Sequence, residues 1–279
     1  MIAFFANIFG YLLNFLYNIF ENYGIALIVF SVIIKILLIP VSIKQTKAMR
    51  KNNKVQQELK QELKSLQVKY KDNPEQLYRE TMQVYKRNNT SQFNGCSSII
   101  IQIILVIVVV CLIRNPLTYM KKIDADTIEK YRQELNIENN KNSYPEIKII
   151  QAKGNEDNNV YINMNFFGLD LSDIPTQNAS DWKVFIIPAL YVISSIISMK
   201  KTTEMQTNSS KEINTGKDGE QEEDQMEMIN KYMIYIMPIM FVPIIIIYPL
   251  GLALYWLVNN VLMIIERFTL NKFIKDEEE

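Results

Sequence analysis

The sequence predicts an all-α membrane protein: five transmembrane helices, an N-terminal interfacial amphipathic helix and a cytoplasmic helical hairpin. Long charge-free apolar runs alternate with charged, Asn-rich segments, although 48% hydrophobic content and a mean hydropathy of −0.02 match a soluble chain. Positive charge crowds the ends of some apolar runs and is missing from others, which orients them. Within the charged segments, apolar residues recur at three-to-four spacing, the period of an amphipathic helix.

Residues 1–22 are apolar and carry no Lys or Arg, so they lack the basic region of a secretory signal. Asn7, Tyr11, Asn14, Asn18 and Glu21 recur at spacings that align them in one polar stripe. An interfacial amphipathic helix fits this stripe, and a transmembrane helix with a polar seam, a sixth span, is the alternative.

Residues 23–43 form the first span, opening with YGIALIVFSVIIKILLIP. A bilayer core takes roughly 20 apolar residues, yet Lys35 stands near the middle of this run with no acid in the segment. A lysine at a helix centre costs about 2.5–3.5 kcal/mol on insertion scales, so it should face a wet cavity or a partner. Its long stem also permits snorkelling toward the interface near Pro40.

Lys44, Lys47, Arg50, Lys51 and Lys54 follow this span, whereas nothing basic precedes Tyr23. The positive-inside rule places residues 44–93 in the cytoplasm and the N-terminus outside. There Val55, Leu59, Leu63, Leu66 and Tyr70 form an apolar stripe, and Pro74 suits the first turn of a second helix lined by Leu77, Thr81 and Val84. The two helices read as a hairpin whose apolar faces bury each other, receive partners, or both. Leu63, Tyr70, Pro74, Tyr78 and Tyr85 are its candidate contact residues.

The second span covers 94–113 and carries Gln102, which should seek a polar partner inside the bundle. Residues 114–183, richer in acids than bases, form an extracytoplasmic loop that ends in FFGLDLSDIP (166–175) and Trp182, an interfacial anchor. The third span, 184–199, holds Pro188, Ser194, Ser195 and Ser198, and Lys200 and Lys201 return the chain to the cytoplasm. Residues 200–231, with EQEED at 220–224, form a flexible cytoplasmic loop. The run from 232 to 265 is uncharged, and Tyr248-Pro249-Leu250-Gly251 divides it into spans 232–248 and 250–266. Residues 267–279 form a short cytoplasmic tail. Several of these spans, at about 16 residues, are short enough to require snorkelling or a thinned bilayer.

The composition excludes several chemistries. With no His in the chain, neither an H-E-x-x-H zinc site nor a Ser–His or Cys–His pair can form. The apolar segments contain no Asp, against a paired-aspartate intramembrane protease. Cys96 and Cys111 lie roughly 22 Å apart along one helix, beyond disulfide reach. Zero formal net charge gives no electrostatic footprint for a nucleic acid.

In this order and topology the chain resembles the YidC-type membrane protein insertases shared by bacteria, mitochondria and chloroplasts, over most of its length. Lys35 falls where that family's first span carries a groove arginine. KYKDNPEQLYRETMQVYKRNN (69–89) resembles the paired-helix loop, Asn94-Gly95-Cys96 with Gln102 the second span, FFGLDLSDIP the approach to the third, and YPLGLALYWLVNNVLMIIERF (248–268) the last. The chain departs from the pattern at Lys35 (usually Arg), at Ser97-Ser98 (commonly Leu-Pro) and at Glu266 (frequently Gln). Its short tail ends in acids instead of a long basic extension.

The resemblance implies a five-helix groove lined by Lys35, Gln102, Ser194, Ser198 and Asn259, open to cytoplasm and lipid and closed outside. A nascent membrane protein would enter it from the cytosol and leave sideways into the bilayer, with no enzyme chemistry, metal or cofactor. Implied partners are nascent membrane proteins, membrane lipids, the Sec translocon, the ribosome and the signal-recognition targeting machinery, with no specific nucleic-acid sequence. The implied location is a bacterial plasma membrane, multi-pass, N-terminus outside and C-terminus cytoplasmic. A transporter or channel is the alternative, although no internal repeat or matched pair of broken helices marks one. An intramembrane enzyme pairing Ser194 or Ser195 with Lys35 as base has only a weak signal.

Overall fold

Length and apolarity decide the architecture. Four helices among the described residues are long and apolar enough to cross a membrane: Ile2–Phe20, Tyr23–Ala48, Trp182–Lys201 and Leu250–Leu270. The computed structural model describes residues 2–71, 73–88, 96–138, 144–211, 236 and 238–278. The expectations for 89–95, and for the cytoplasmic loop beyond Lys211, lie outside these residues.

In chain order the helices are α1 (Ile2–Phe20), α2 (Tyr23–Lys69), α3 (Pro74–Arg87), α4 (Cys96–Arg114), α5 (Ala125–Glu134), α6 (Pro145–Lys153), α7 (Ile186–Lys211), α8 (Pro238–Ile247) and α9 (Leu250–Glu278). A π-turn, Leu117–Lys121, follows α4, and a 3-10 turn, Trp182–Phe185, leads into α7. The one described sheet is an antiparallel pair, β1 (Asn165–Phe166) with β2 (Leu169–Asp170), in register Asn165 with Asp170. Phe167 and Gly168 make its turn at φ 50° and 81°.

The first span and the first arm of the hairpin are one helix. α2 runs 47 residues through Pro40, about 70 Å at 1.5 Å per residue, against a hydrocarbon core of about 30 Å. Pro40 removes only the hydrogen bond to the Ile36 carbonyl, and the Lys-, Glu-, Gln- and Leu-rich stretch after it sustains the helix. Asn22 caps α2 by accepting from the Ile25 amide at 3.1 Å.

The hairpin closes on its own apolar stripe. Leu59 on α2 and Val84 and Tyr85 on α3 are buried together, with Leu63 and Leu66 packed against them. Asn73 caps α3, with Pro74 in its first turn, and Arg87 pairs with Glu62 at 2.5 Å. Tyr85 and Leu63 thus belong to the hairpin's core, Tyr70 is half-buried, and Pro74 and Tyr78 face solvent.

α1 packs on α2, α4 and the π-turn. Ala6, Gly10, Leu13 and Tyr17 form its buried stripe, while Phe4, Phe5, Ile8, Phe15 and Ile19 are exposed. A Cβ on Gly10 would lie 1.9 Å from the Tyr119 carbonyl oxygen, so only glycine permits this approach. Both ends of the helix touch the 115–181 segment. Near the start, Lys122 Nζ donates to Asn7 Oδ1 at 2.6 Å and sits 4.1 Å from the Tyr11 ring centroid. Near the end, the Asn163 amide donates to the Tyr17 hydroxyl at 2.8 Å, and Asn22 Nδ2 to the Asn165 carbonyl at 2.7 Å.

That same segment covers one end of the helices. The first amides of α9, those of Leu250 and Gly251, donate to the Asp173 and Leu171 carbonyls, both at 2.9 Å. Such helix-start donors need partners from elsewhere. The Tyr23 amide donates to the Asn163 carbonyl at 3.0 Å, and the Tyr144 hydroxyl to the Ile247 carbonyl at 2.9 Å. Inside the cover, buried Glu146 accepts from the Thr118 amide at 3.0 Å and its hydroxyl at 2.5 Å. Burial raises its pKa above the ordinary carboxylate value, and the two Thr118 bonds offset part of the rise.

A polar seam among α2, α7 and α9

α9 is the hub of the site, packing on both α7 and α2. Its apolar start, with Leu250, Leu252, Ala253, Leu254 and Tyr255 all buried, fixes the helix in the core. That places the polar residues of its later turns between its neighbours.

Lys35 on α2 and Glu266 on α9 form an ion pair at 2.7 Å, with side chains only 22% and 12% exposed. Either charge alone would be costly inside an apolar bundle; together they offset each other's desolvation. Glu266 Oε1 is buried and has no hydrogen-bond partner among the described residues, so the pair uses one carboxylate oxygen and leaves the other as a free acceptor. Ser31, one turn before Lys35 on the same face of α2, is buried and donates to its own helix at the Leu27 carbonyl, 2.8 Å away.

A second cluster joins α9 to α7. Asn260 Nδ2 lies 2.6 Å from Ser195 Oγ and 3.3 Å from Ser194 Oγ. Ser194 Oγ also donates to the Tyr191 carbonyl at 2.8 Å, and the Tyr191 and Trp256 rings meet at 6.0 Å. Ser194, Ser195 and Ser198 are all buried.

Of the residues expected in the groove, Lys35, Ser194 and Ser198 are on helices that meet at α9. Asn259 lies seven positions before Glu266, hence on the same face of α9, and its amide donates to the Tyr255 carbonyl at 2.9 Å. The neighbouring Asn260 makes the contact to α7. Gln102 is on α4, in a stretch (96–102) where side chains are not described.

Two residues of this seam carry no local sequence signal. Glu266 ends an apolar run and reads as a boundary charge; only its pairing with Lys35 from the other end of the chain gives it a place in the site. Asn260 is separated from Asn259 by one 100° step of the helix, and an uncharged run offers no phase to choose between them. Gly10 did have a signal: Ala6 and Gly10 are small residues four apart in an apolar helix, the spacing that lets backbones approach closely.

The family model described as 60Kd inner membrane protein matches residues 15–278. Similar proteins include the membrane protein insertase YidC of Treponema denticola, 25% identical over 265 residues that cover 95% of this chain and 37% of that protein. The protein of the same description from Helicobacter pylori is 25% identical over 278 residues, 100% of this chain and 38% of that one. That of Caldanaerobacter subterraneus is 40% identical over 96 residues, 34% of this chain and 45% of that one. The chain thus spans well under half the length of the Treponema denticola and Helicobacter pylori proteins. A mostly helical architecture with four membrane-length helices among the described residues, and a family match over nearly its whole length, place this chain in the 60Kd inner membrane protein family.

Proposed function

We propose that this chain is a membrane protein insertase that receives nascent membrane proteins in a hydrophilic groove containing Lys35 and releases them laterally into the bilayer. Five spans (23–43, 94–113, 184–199, 232–248 and 250–266) form the groove, with the N-terminus outside and the C-terminus in the cytoplasm of a bacterial plasma membrane. Residues 1–22 lie in the outer interface; the contacts of both ends of α1 with the 115–181 segment support this placement, since a perpendicular span would carry Asn7 about 21 Å away from the level of Glu21.

The observation that supports the proposal is the pairing of a polar seam with helix starts covered by the 115–181 segment, which we read as the closed end of the groove. Lys35, Glu266, Asn260 and the α7 serines sit among apolar helices, while backbone bonds from 163, 171 and 173 tie down the starts of α2 and α9. A polar segment entering from the unsealed end finds side chains that replace part of its lost hydration. Its apolar segment then leaves for lipid, where burial supplies the driving force. The hairpin, with Pro74 and Tyr78 exposed at and near its tip, makes first contact with the substrate or with the targeting machinery, and the Sec translocon, the ribosome and membrane lipids are further partners. No covalent step, metal or cofactor is required.

Purified protein in liposomes tests this. Insertion of a single-span protein, without solute flux and without peptide cleavage, is the expected result. Flux without insertion would establish a channel or transporter instead, and cleavage an intramembrane enzyme.

A further inference from the structure

We infer that Glu266 is a built-in counter-ion that occupies Lys35 and so sets the charge of the translocated segments the groove accepts. This rests on the insertase reading above and adds to it a substrate class: uncharged, amide-rich segments, taken in preference to acidic ones.

The geometry places the pair on the substrate's path. Lys35 lies about 18 Å along α2 from Tyr23, and Glu266 about 24 Å along α9 from Leu250. Both are in the half of the bundle away from the sealed end, where a segment arriving from the cytoplasm enters. At 2.7 Å and largely buried, the Lys35 ammonium already holds a charge-assisted hydrogen bond. Its partner is part of the same folded chain, so an incoming carboxylate competes with a group that pays no association cost.

The exchange also leaves a debt in charge. An acidic segment that captures Lys35 takes the direct partner from the Glu266 carboxylate, which is 12% exposed and keeps only the field of the neighbouring Arg267, and a buried charge that loses its direct partner is strongly unfavourable. A neutral polar segment makes no such exchange. It leaves the ion pair in place, and its backbone N–H groups and Asn or Gln amides bring hydrogen-bond donors without a net charge. The paired carboxylate also weakens the long-range attraction that a lone Lys35 would exert on acidic tails.

Two single-span proteins that differ only in their translocated tail, one rich in Asn and Gln and one in Asp and Glu, test this in liposomes containing the full chain. The wild type is expected to insert the amide-rich tail in preference. Glu266→Gln should raise the acidic-to-neutral insertion ratio roughly tenfold, the effect of unmasking one charge in a desolvated site. The double variant Lys35→Gln/Glu266→Gln removes both charges of the pair, leaves the local net charge as in the wild type, and should return the ratio to the wild-type value. An unchanged ratio in Glu266→Gln, or a ratio still raised in the double variant, overturns the inference and leaves the insertase reading standing. A wild-type protein that inserts neither substrate overturns both.

Discussion

Lys35→Glu is expected to lower insertion of a single-span protein by about a hundredfold or more, whatever the charge of its tail. The substitution sets two carboxylates where a 2.7 Å ion pair now joins α2 to α9. Removing one partner of a buried pair costs about 3–5 kcal/mol because the other charge is stranded, and about 1.4 kcal/mol is tenfold in an equilibrium. Glu266→Gln is milder, since a lysine left alone can extend its stem toward the nearer membrane interface. The exchanged pair, Lys35→Glu with Glu266→Lys, should recover insertion, and Lys35→Arg should retain it by reaching the same carboxylate. An exchanged pair no better than Lys35→Glu alone would show that the ion pair is not what the first substitution destroys.

The second large effect is expected at Gly10. A Cβ there would meet the Tyr119 carbonyl oxygen at 1.9 Å and its carbon at 2.5 Å, both backbone atoms that no rotamer change can move. Gly10→Leu therefore has to push α1 off the π-turn, loosening the buried stripe of Ala6, Leu13 and Tyr17 and the bonds from Lys122 to Asn7 and from Asn163 to Tyr17. Overpacking typically costs about 1–3 kcal/mol, and a collision with backbone belongs at or above the top of that range. The midpoint of thermal unfolding in detergent should fall by several degrees. A wild-type midpoint for Gly10→Leu would mean that α1 does not approach the π-turn this closely.

Much of the fold was legible because bilayer-length apolar runs and helix punctuation are local signals. Pro74, preceded by Asn73 as cap, opens α3 where the sequence placed a helix start, and of the two uses the spacing left open for the apolar faces, Leu59, Val84 and Tyr85 are buried against each other. Pro40 was less informative, because proline removes a single bond and strong helix formers on its far side carry α2 to Lys69. α9 likewise runs past Glu266 to Glu278, and α7 past Lys201 to Lys211, since a change from apolar to charged residues marks the end of a span but not of a helix.

The site was legible in kind and not in partnership. Lys35 announced itself as a charge needing company; which residue supplies it depends on how α9 is rotated and how deep it sits, and neither is encoded within the segment around Lys35. The serines of α7 were legible as a small polar patch, while the choice of Asn260 over Asn259 as their partner turns on a single helical step.

The central claim is a groove wet from the cytoplasm and shut on the outside. Its most direct test is thiol labelling with a membrane-impermeant maleimide, in a chain lacking Cys96 and Cys111 and carrying Asn259→Cys, which is half-buried on the same face of α9 as Glu266. Phe167→Cys, at a position 90% exposed in the 115–181 segment, serves as the external control. Position 259 should label when reagent is added to the cytoplasmic side and not when it is added outside, with the reverse at 167. Labelling of position 259 from outside would contradict the account, since it requires a path through the sealed end.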